Sequence, residues 1–435
     1  MQALDQAIFE ALDATVLIDS HSHINPRAAA STSLADLLGY HYYTELAHSA
    51  GMPRERIEQV GISALERVER LIDAARHLNH TIQWSWLEEL ARELFGFQGE
   101  AIDASNWQSV FEAAERCMQQ PDWAETVLQR SRVERIFLTN DFDDVLDDFD
   151  TYRYVPCLRT DDLVFHLPLA TTQQRLSKCT GIALQSLSDL HRGLGSLFDR
   201  FVKHGAKACA ISLPPWFTPR RLDAKDPSAE AAFNRMLHGS LELSEDDRKT
   251  LSYWVFWRLA EFCREHRLPF DLMIGVNRKV YPQGVYQGQD LYDSRWSMIQ
   301  YADLFNAFPT VRFPISVLAS VSNQELVDYA WIFPNVLAHG HWWYSNTPSF
   351  IEPDLRARID AIPRNKILGY YSDAYKLEFI LPKYRMYKRL LAKVLAQSVC
   401  RERGKCESFA IELGRQILRG NVESVFFPSE DGLAT

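Results

Sequence analysis

The chain has 435 residues, a net charge of −10, 46% hydrophobic residues and 24% charged residues. An acidic balance argues against a nucleic-acid or anionic-membrane surface, and no apolar run approaches the ~20 residues a membrane-spanning helix needs. The composition is that of a globular protein, long enough for a (β/α)8 barrel carrying an insertion.

The N-terminal stretch "MQALDQAIFEALDATVL" is acidic and has no positively charged leader, so no secretion signal is expected. The first strand-like run, "ATVLIDS" at 14–20, ends in Asp19, His21 and His23. Alternate residues of a strand point to one side, so His21 and His23 aim at one point. That point lies at the C-terminal end of a strand, where α/β barrels place their sites.

About a hundred residues of helical period then follow with no strand. The clearest part is "RVERLIDAARHLNHTIQWSWLEELARELFG", with Gly96 after its last turn. We expect barrel segments at 1–30 and 131–435, with a helical insertion at 31–130 covering the barrel mouth. Further apolar runs follow at 133–139, 154–159, 206–215, 268–276, 312–319, 335–343 and 366–373, with helical segments filling most gaps. Continuous apolar strands alternating with helices predict a parallel sheet, and eight of them a closed α/β barrel. The C-terminal "YRMYKRLLAKVLAQ" and "ESFAIELGRQILRG" read as amphipathic helices. The seven cysteines are scattered without a C-x-x-C, the pattern of reduced, mostly buried thiols in a cytoplasmic protein.

Polar residues collect at the strand ends: Asp19, His21 and His23, then Thr139, Asn140 and Asp141. Later strands add Arg159 and Asp161, Asn277 and Arg278, His339, His341, Trp342 and Trp343, and finally Ser372 and Asp373. Each alone is more simply a solvated loop residue; together they favour a site. In a closed barrel the first and eighth strands are neighbours, so Asp373 is the natural third ligand beside His21 and His23. Its bland alternative is an N-cap for the next helix. Two imidazoles and a carboxylate suit Zn2+ or another divalent ion.

The pieces "DSHSH", "LLGYHYYTEL", "NHTIQWSWLEEL", "FLTNDFDD", "LRTDD", "MIGVNR", "GHWWYSN" and "YSDAYKLE" occur in that order along nearly the whole chain. By them the sequence resembles a divergent branch of the uronate isomerase family of the amidohydrolase superfamily. The resemblance implies a (β/α)8 barrel of the metal-dependent hydrolase type with one divalent metal, zinc by expectation. It also implies aldose–ketose isomerisation of a hexuronate, D-glucuronate to D-fructuronate or D-galacturonate to D-tagaturonate. His21, His23 and Asp373 then match metal ligands, and Asp373, Tyr42 and His41 match catalytic positions. Arg159 matches an arginine near the substrate carboxylate, and Trp342 and Trp343 a tryptophan pair. Arg278 and Tyr375 are the remaining expected substrate contacts.

Two positions depart from the family pattern. Met273 stands where most members carry a fifth-strand histidine, and Tyr375 where the family's Asp-x-Arg has its arginine. Lys376 would point to the other face. The extra histidines His339 and His341 read as packing. The competing readings are a metal-dependent hydrolase or lactonase and a non-catalytic sugar-acid-binding homologue. The usual fourth-strand lysine and the histidines of strands five and six are absent, which disfavours the first. The intact trio of His21, His23 and Asp373 disfavours the second. The expected partner is a small-molecule sugar acid, and a homo-oligomer is compatible with the sequence.

Overall fold

The computed structural model describes residues 3–238 and 243–428. Its centre is a parallel barrel of eight strands: β1 (Leu17–Asp19), β2 (Val133–Phe137), β3 (Cys157–Arg159), β4 (Ala208–Leu213), β5 (Phe270–Ile274), β6 (Phe313–Val317), β7 (Val336–His339) and β8 (Ile367–Leu368). Neighbouring registers set Leu17 opposite Val133, Cys157 opposite Ala208, Cys209 opposite Phe270, Leu272 opposite Ile315, Phe313 opposite Val336 and Ala338 opposite Ile367. Between β2 and β3 the ladder splits: Tyr154–Val155 pairs with β2, while Asn140–Asp141 pairs with β3. Pro156 sits at the split, and a proline has no N–H to continue a ladder.

Closure between β1 and β8 lies beyond their regular residues. Asp373 N–H donates to the His21 carbonyl at 3.2 Å, and His23 N–H donates to the Ala374 carbonyl at 2.8 Å. The barrel therefore closes through the residues expected to carry the chemistry. Residues of β5 and β6 are buried on both faces, which is why these strands read as unbroken apolar runs.

Between β1 and β2 the chain forms helices from Leu34–Leu38 to Trp123–Ser131. The long helical run of the sequence is two helices, Ala64–Leu78 and Ile82–Phe95. Thr81 makes the break: its hydroxyl accepts from Trp84 N–H and caps the second helix. Gly96 ends that helix in the left-handed conformation, as its position predicts. Buried Glu378, after β8, accepts from Ser31 N–H at 2.8 Å and Trp123 Nε1 at 2.8 Å, tying the helices to the barrel. Among the described residues no helix is long and apolar enough to cross a membrane.

Candidate metal centre

His21, His23 and Asp373 meet at the C-terminal mouth of the barrel, each offering a ligand atom within 4.8 Å of the others. Asp373 Oδ1 lies 3.6 Å from His21 Nε2 and 3.4 Å from His23 Nε2. These contacts are longer than hydrogen bonds, and His21 Nε2 and Asp373 Oδ1 are buried without a partner. Buried polar atoms left this way are costly unless a further group satisfies them. Two imidazole nitrogens and a carboxylate oxygen converging on one point fit a divalent cation.

The tautomer of His23 follows from its neighbour. Thr139 Oγ1 donates to the Ser22 carbonyl at 3.0 Å, so its lone pair accepts from His23 Nδ1–H at 2.8 Å. The His23 Nε2 lone pair is thereby left facing Asp373. Burial pushes the His23 imidazole down to about 4, against the opposing pull of Asp373. For His21 burial acts downward too, but the carboxylate of Asp373 beside it raises it. Burial alone would raise Asp373; the imidazoles of His21 and His23 beside it hold it well below the usual carboxylate range.

Asp373 is not an N-cap. It has φ +51, in the left-handed region that costs an L-residue about 1–2 kcal/mol. Yet all the backbone polar groups of Ser372–Ala374 are bonded. Ser372 N–H donates to Asp19 Oδ1 at 2.7 Å, and the Ser372 carbonyl accepts from Lys383 Nζ at 2.7 Å. The Asp373 carbonyl accepts from Tyr40 Oη at 2.8 Å, and Ala374 N–H donates to Ser372 Oγ at 3.1 Å. The Asp373 N–H and the Ala374 carbonyl make the two closing bonds to β1. Asp19 thus organises the β8 end; burial raises its carboxyl to about 6.

Above the trio is a cavity of about 180 Å3. That is smaller than the roughly 300–1,000 Å3 of pockets for drug-sized ligands. Of the residues expected to touch substrate, His41, Arg159, Arg278, Trp342, Trp343 and Tyr375 all line it. Arg159 Nε bonds Asp161 Oδ2 at 3.2 Å, and Arg278 Nη1 bonds Asp290 Oδ2 at 2.7 Å. Asp161 raises the Arg159 guanidinium further above its usual range, so it stays cationic. Tyr375 stacks on His23 with ring centroids 4.8 Å apart, and its hydroxyl accepts from Gln287 Nε2 at 3.1 Å. His41 Nδ1 pairs with Glu45 Oε1 at 2.7 Å, one helical turn away.

Tyr42 stands elsewhere. It is absent from the cavity lining and sits behind Asp373, its hydroxyl donating to Oδ2 at 3.5 Å. Burial drives its phenol well above 10, so it remains a neutral donor. His339 and His341 are core residues. His339 Nε2 bonds Ser20 Oγ at 2.7 Å and Nδ1 lies 3.3 Å from Asp271, while His341 is pushed down by burial. Met273 lines the cavity at the end of β5. Lys376 turns away and pairs with Asp36 at 3.0 Å.

Sequence reasoning did not single out Glu45, Gln287, Asp290 or Lys383. Glu45 had a signal, the i,i+4 spacing from His41 on a helix. Gln287 and Asp290 lie in an aperiodic loop. Lys383 is a buried lysine inside an otherwise ordinary amphipathic helix; burial pushes its ammonium down to about 7, against the pull of Asp373 and Asp19.

A parallel (β/α)8 barrel with His21 and His23 just after β1 and Asp373 after β8 at its mouth has the fold of the metal-dependent hydrolase type. The glucuronate isomerase family model matches residues 2–425. A uronate isomerase of Phocaeicola vulgatus is 20% identical over 434 residues, covering 92% of this chain and 91% of its own. The uronate isomerase of Thermotoga maritima superposes with a TM-score of 0.89 at 18% identity, over 98% of both chains. Glucuronate isomerase from Caulobacter crescentus gives 0.87 at 16% identity, over 98% of this chain and 94% of that one. The chain belongs to the glucuronate isomerase family.

Proposed function

We propose that the protein interconverts a hexuronate aldose and its ketose in sugar-acid catabolism, in the cytoplasm, using one divalent ion, zinc by preference. The observation that carries this reading is the trio of His21, His23 and Asp373 at the floor of a small cavity walled by Arg159 and Arg278. His21, His23 and Asp373 would hold the ion. A bound divalent cation supplies Lewis-acid polarisation of a substrate carbonyl.

Isomerisation moves a hydrogen between C2 and C1 of the sugar. Asp373 Oδ1 faces the histidines, which leaves Oδ2 to take the C2 proton and return it to C1, while the hydroxyl proton lost from O2 passes to O1 by way of His41. The imidazoles that hold Asp373 low also weaken it as a base, so its contribution rests on placement against the substrate. Tyr42 donates to Oδ2 from behind and steadies it. His41, oriented by Glu45, presents its other ring edge to the substrate oxygens. Arg159, and Arg278 beside it, would take the substrate carboxylate, for which a guanidinium fork is suited. Trp342 and Trp343 offer apolar faces to the sugar. The helical stretch 31–130 acts as a unit in this reading, because it delivers His41, Glu45 and Tyr42 to a barrel made of 1–30 and 131–435.

A ketouronate-coupled assay across hexuronates and their lactones tests the proposal. Turnover of D-glucuronate or D-galacturonate, without lactone opening, is expected. Lactone hydrolysis alone would make the protein a hydrolase of this fold. Binding of a hexuronate without turnover would make it a sugar-acid-binding homologue, a reading that Tyr375 in the arginine position favours.

A further inference from the structure

One buried basic side chain behind the barrel mouth is left without a role by the chemistry above. Lys383 belongs to the helix Ile380–Val394 and is fully buried. Its Nζ lies 4.8–5.1 Å from the ring centroids of Tyr40, Tyr42 and Trp86, an aromatic box suited to an ammonium. It donates to Tyr40 Oη at 2.8 Å and to the Ser372 carbonyl at 2.7 Å. Tyr40 Oη in turn donates to the Asp373 carbonyl at 2.8 Å.

The two carbonyls so held belong to the peptide units on either side of the Asp373 Cα. Fixing both planes fixes the φ and ψ of the residue between them. Asp373 is also the residue with the unfavourable φ of +51. Strained backbone persists only where its surroundings over-determine it. Asp19 secures the N–H side of the same segment, through Ser372, but reaches neither carbonyl. We propose that Lys383 is a positioning residue: from its aromatic box it clamps the peptide units flanking Asp373, directly and through Tyr40, and so aims the carboxylate between His21 and His23. The box comes from the helical stretch after β1 and the lysine from the helix after β8, so the clamp also joins the two parts of the chain that build the site.

The proposal rests on His21, His23 and Asp373 being the metal ligands, and zinc affinity reads it without turnover. Chelator competition with Zn2+ would be run on wild type, Lys383→Met, Tyr40→Phe and Lys388→Met. Lys388 is a second buried lysine of the same helix, bonded to Asp13, and controls for general loss of stability. Supporting residues of this kind change metal affinity by about 10- to 100-fold. Lys383→Met is expected to weaken zinc binding within that range and to lower kcat more than it raises KM. Tyr40→Phe, which severs one of the two links, is expected to show a smaller loss in the same direction. Lys388→Met is expected to lower Tm and leave zinc affinity as it was. A folded Lys383→Met protein that binds zinc within twofold of wild type overturns the clamp. Should that variant not fold, unchanged affinity in Tyr40→Phe overturns it. Wild-type protein that takes up no zinc removes the ligand reading and the clamp together. Protein that binds zinc but turns over no hexuronate removes only the isomerase reading.

Discussion

Asp373 is asked for two things, to complete a cation site with Oδ1 and to move a proton with Oδ2. An amide at that position keeps the shape and loses the basicity. Asp373→Asn is therefore expected to lower kcat by at least about a hundredfold, the scale of a lost general base. Steady-state turnover within a few-fold of wild type would remove Asp373 from the chemistry. Arg159 makes an ion pair with Asp161, and such a pair on a half-open wall is worth little by itself. Its value lies in a substrate carboxylate, where a charged hydrogen bond contributes about 1.5–3 kcal/mol. Arg159→Met is expected to reduce kcat/KM for a hexuronate by roughly 10- to 150-fold, much of it in KM, while residual turnover of a neutral hexose barely changes. Equal losses for both sugars would make Arg159 structural.

The same residues show what a sequence carries. His21 and His23 were legible because period-two geometry sends alternate strand residues to one side. Asp373 was legible because closure makes β1 and β8 neighbours. Lys383 was not: its partners are a carbonyl 11 residues earlier and a phenol 343 residues away, and nothing local marks them. The family resemblance sets Tyr42 among the catalytic positions, whereas its side chain packs behind Asp373 under the lysine. The direction a helical side chain takes depends on the tertiary position of its helix, which the sequence pattern leaves open.

At the level of elements, the eight strands were legible because strands buried on both faces leave long apolar runs between amphipathic helices. The break at Thr81 was not, since three-and-four spacing continues across Asn79–Thr81 and the cap is a single hydroxyl. The turn after β7 shows how tightly one element end is specified. Gly340 has φ +53, and a Cβ there would clash with the Tyr371 ring. Gly340→Ala adds overpacking, typically about 1–3 kcal/mol, to the strain of the left-handed conformation. A loss of unfolding free energy of that order, read as a lower urea midpoint, is expected, with loss of activity following from displaced Trp342 and Trp343. A midpoint equal to wild type would show that the turn relaxes freely. Thr139, between β2 and its continuation, holds the His23 tautomer. Thr139→Val is expected to weaken metal binding by about 10- to 100-fold with little change in Tm, read by chelator competition. Unchanged affinity would mean that another group sets the ring.

At the scale of the molecule, the barrel brings residues from both ends of the chain to one mouth, and its closing bonds are made by His21, His23, Asp373 and Ala374 themselves. The bonds that close the barrel therefore also fix the backbone of the candidate ligands. Family membership and fold agree with the order of motifs along the chain, and Met273 and Tyr375, the two positions that depart from the expected motifs, both line the cavity. Tyr375→Arg is expected to change which hexuronate is preferred, since Tyr375 both stacks on His23 and holds Gln287. An unchanged ranking across a hexuronate panel would show that the position does not read the sugar. The most direct test of the central claim is turnover of D-glucuronate and D-galacturonate by chelator-stripped protein titrated with Zn2+. Ketouronate formation that is absent from stripped protein, rises linearly and reaches its plateau at one ion per chain is expected. Full isomerase activity without the ion, or no isomerisation of either hexuronate at saturating zinc, would contradict it.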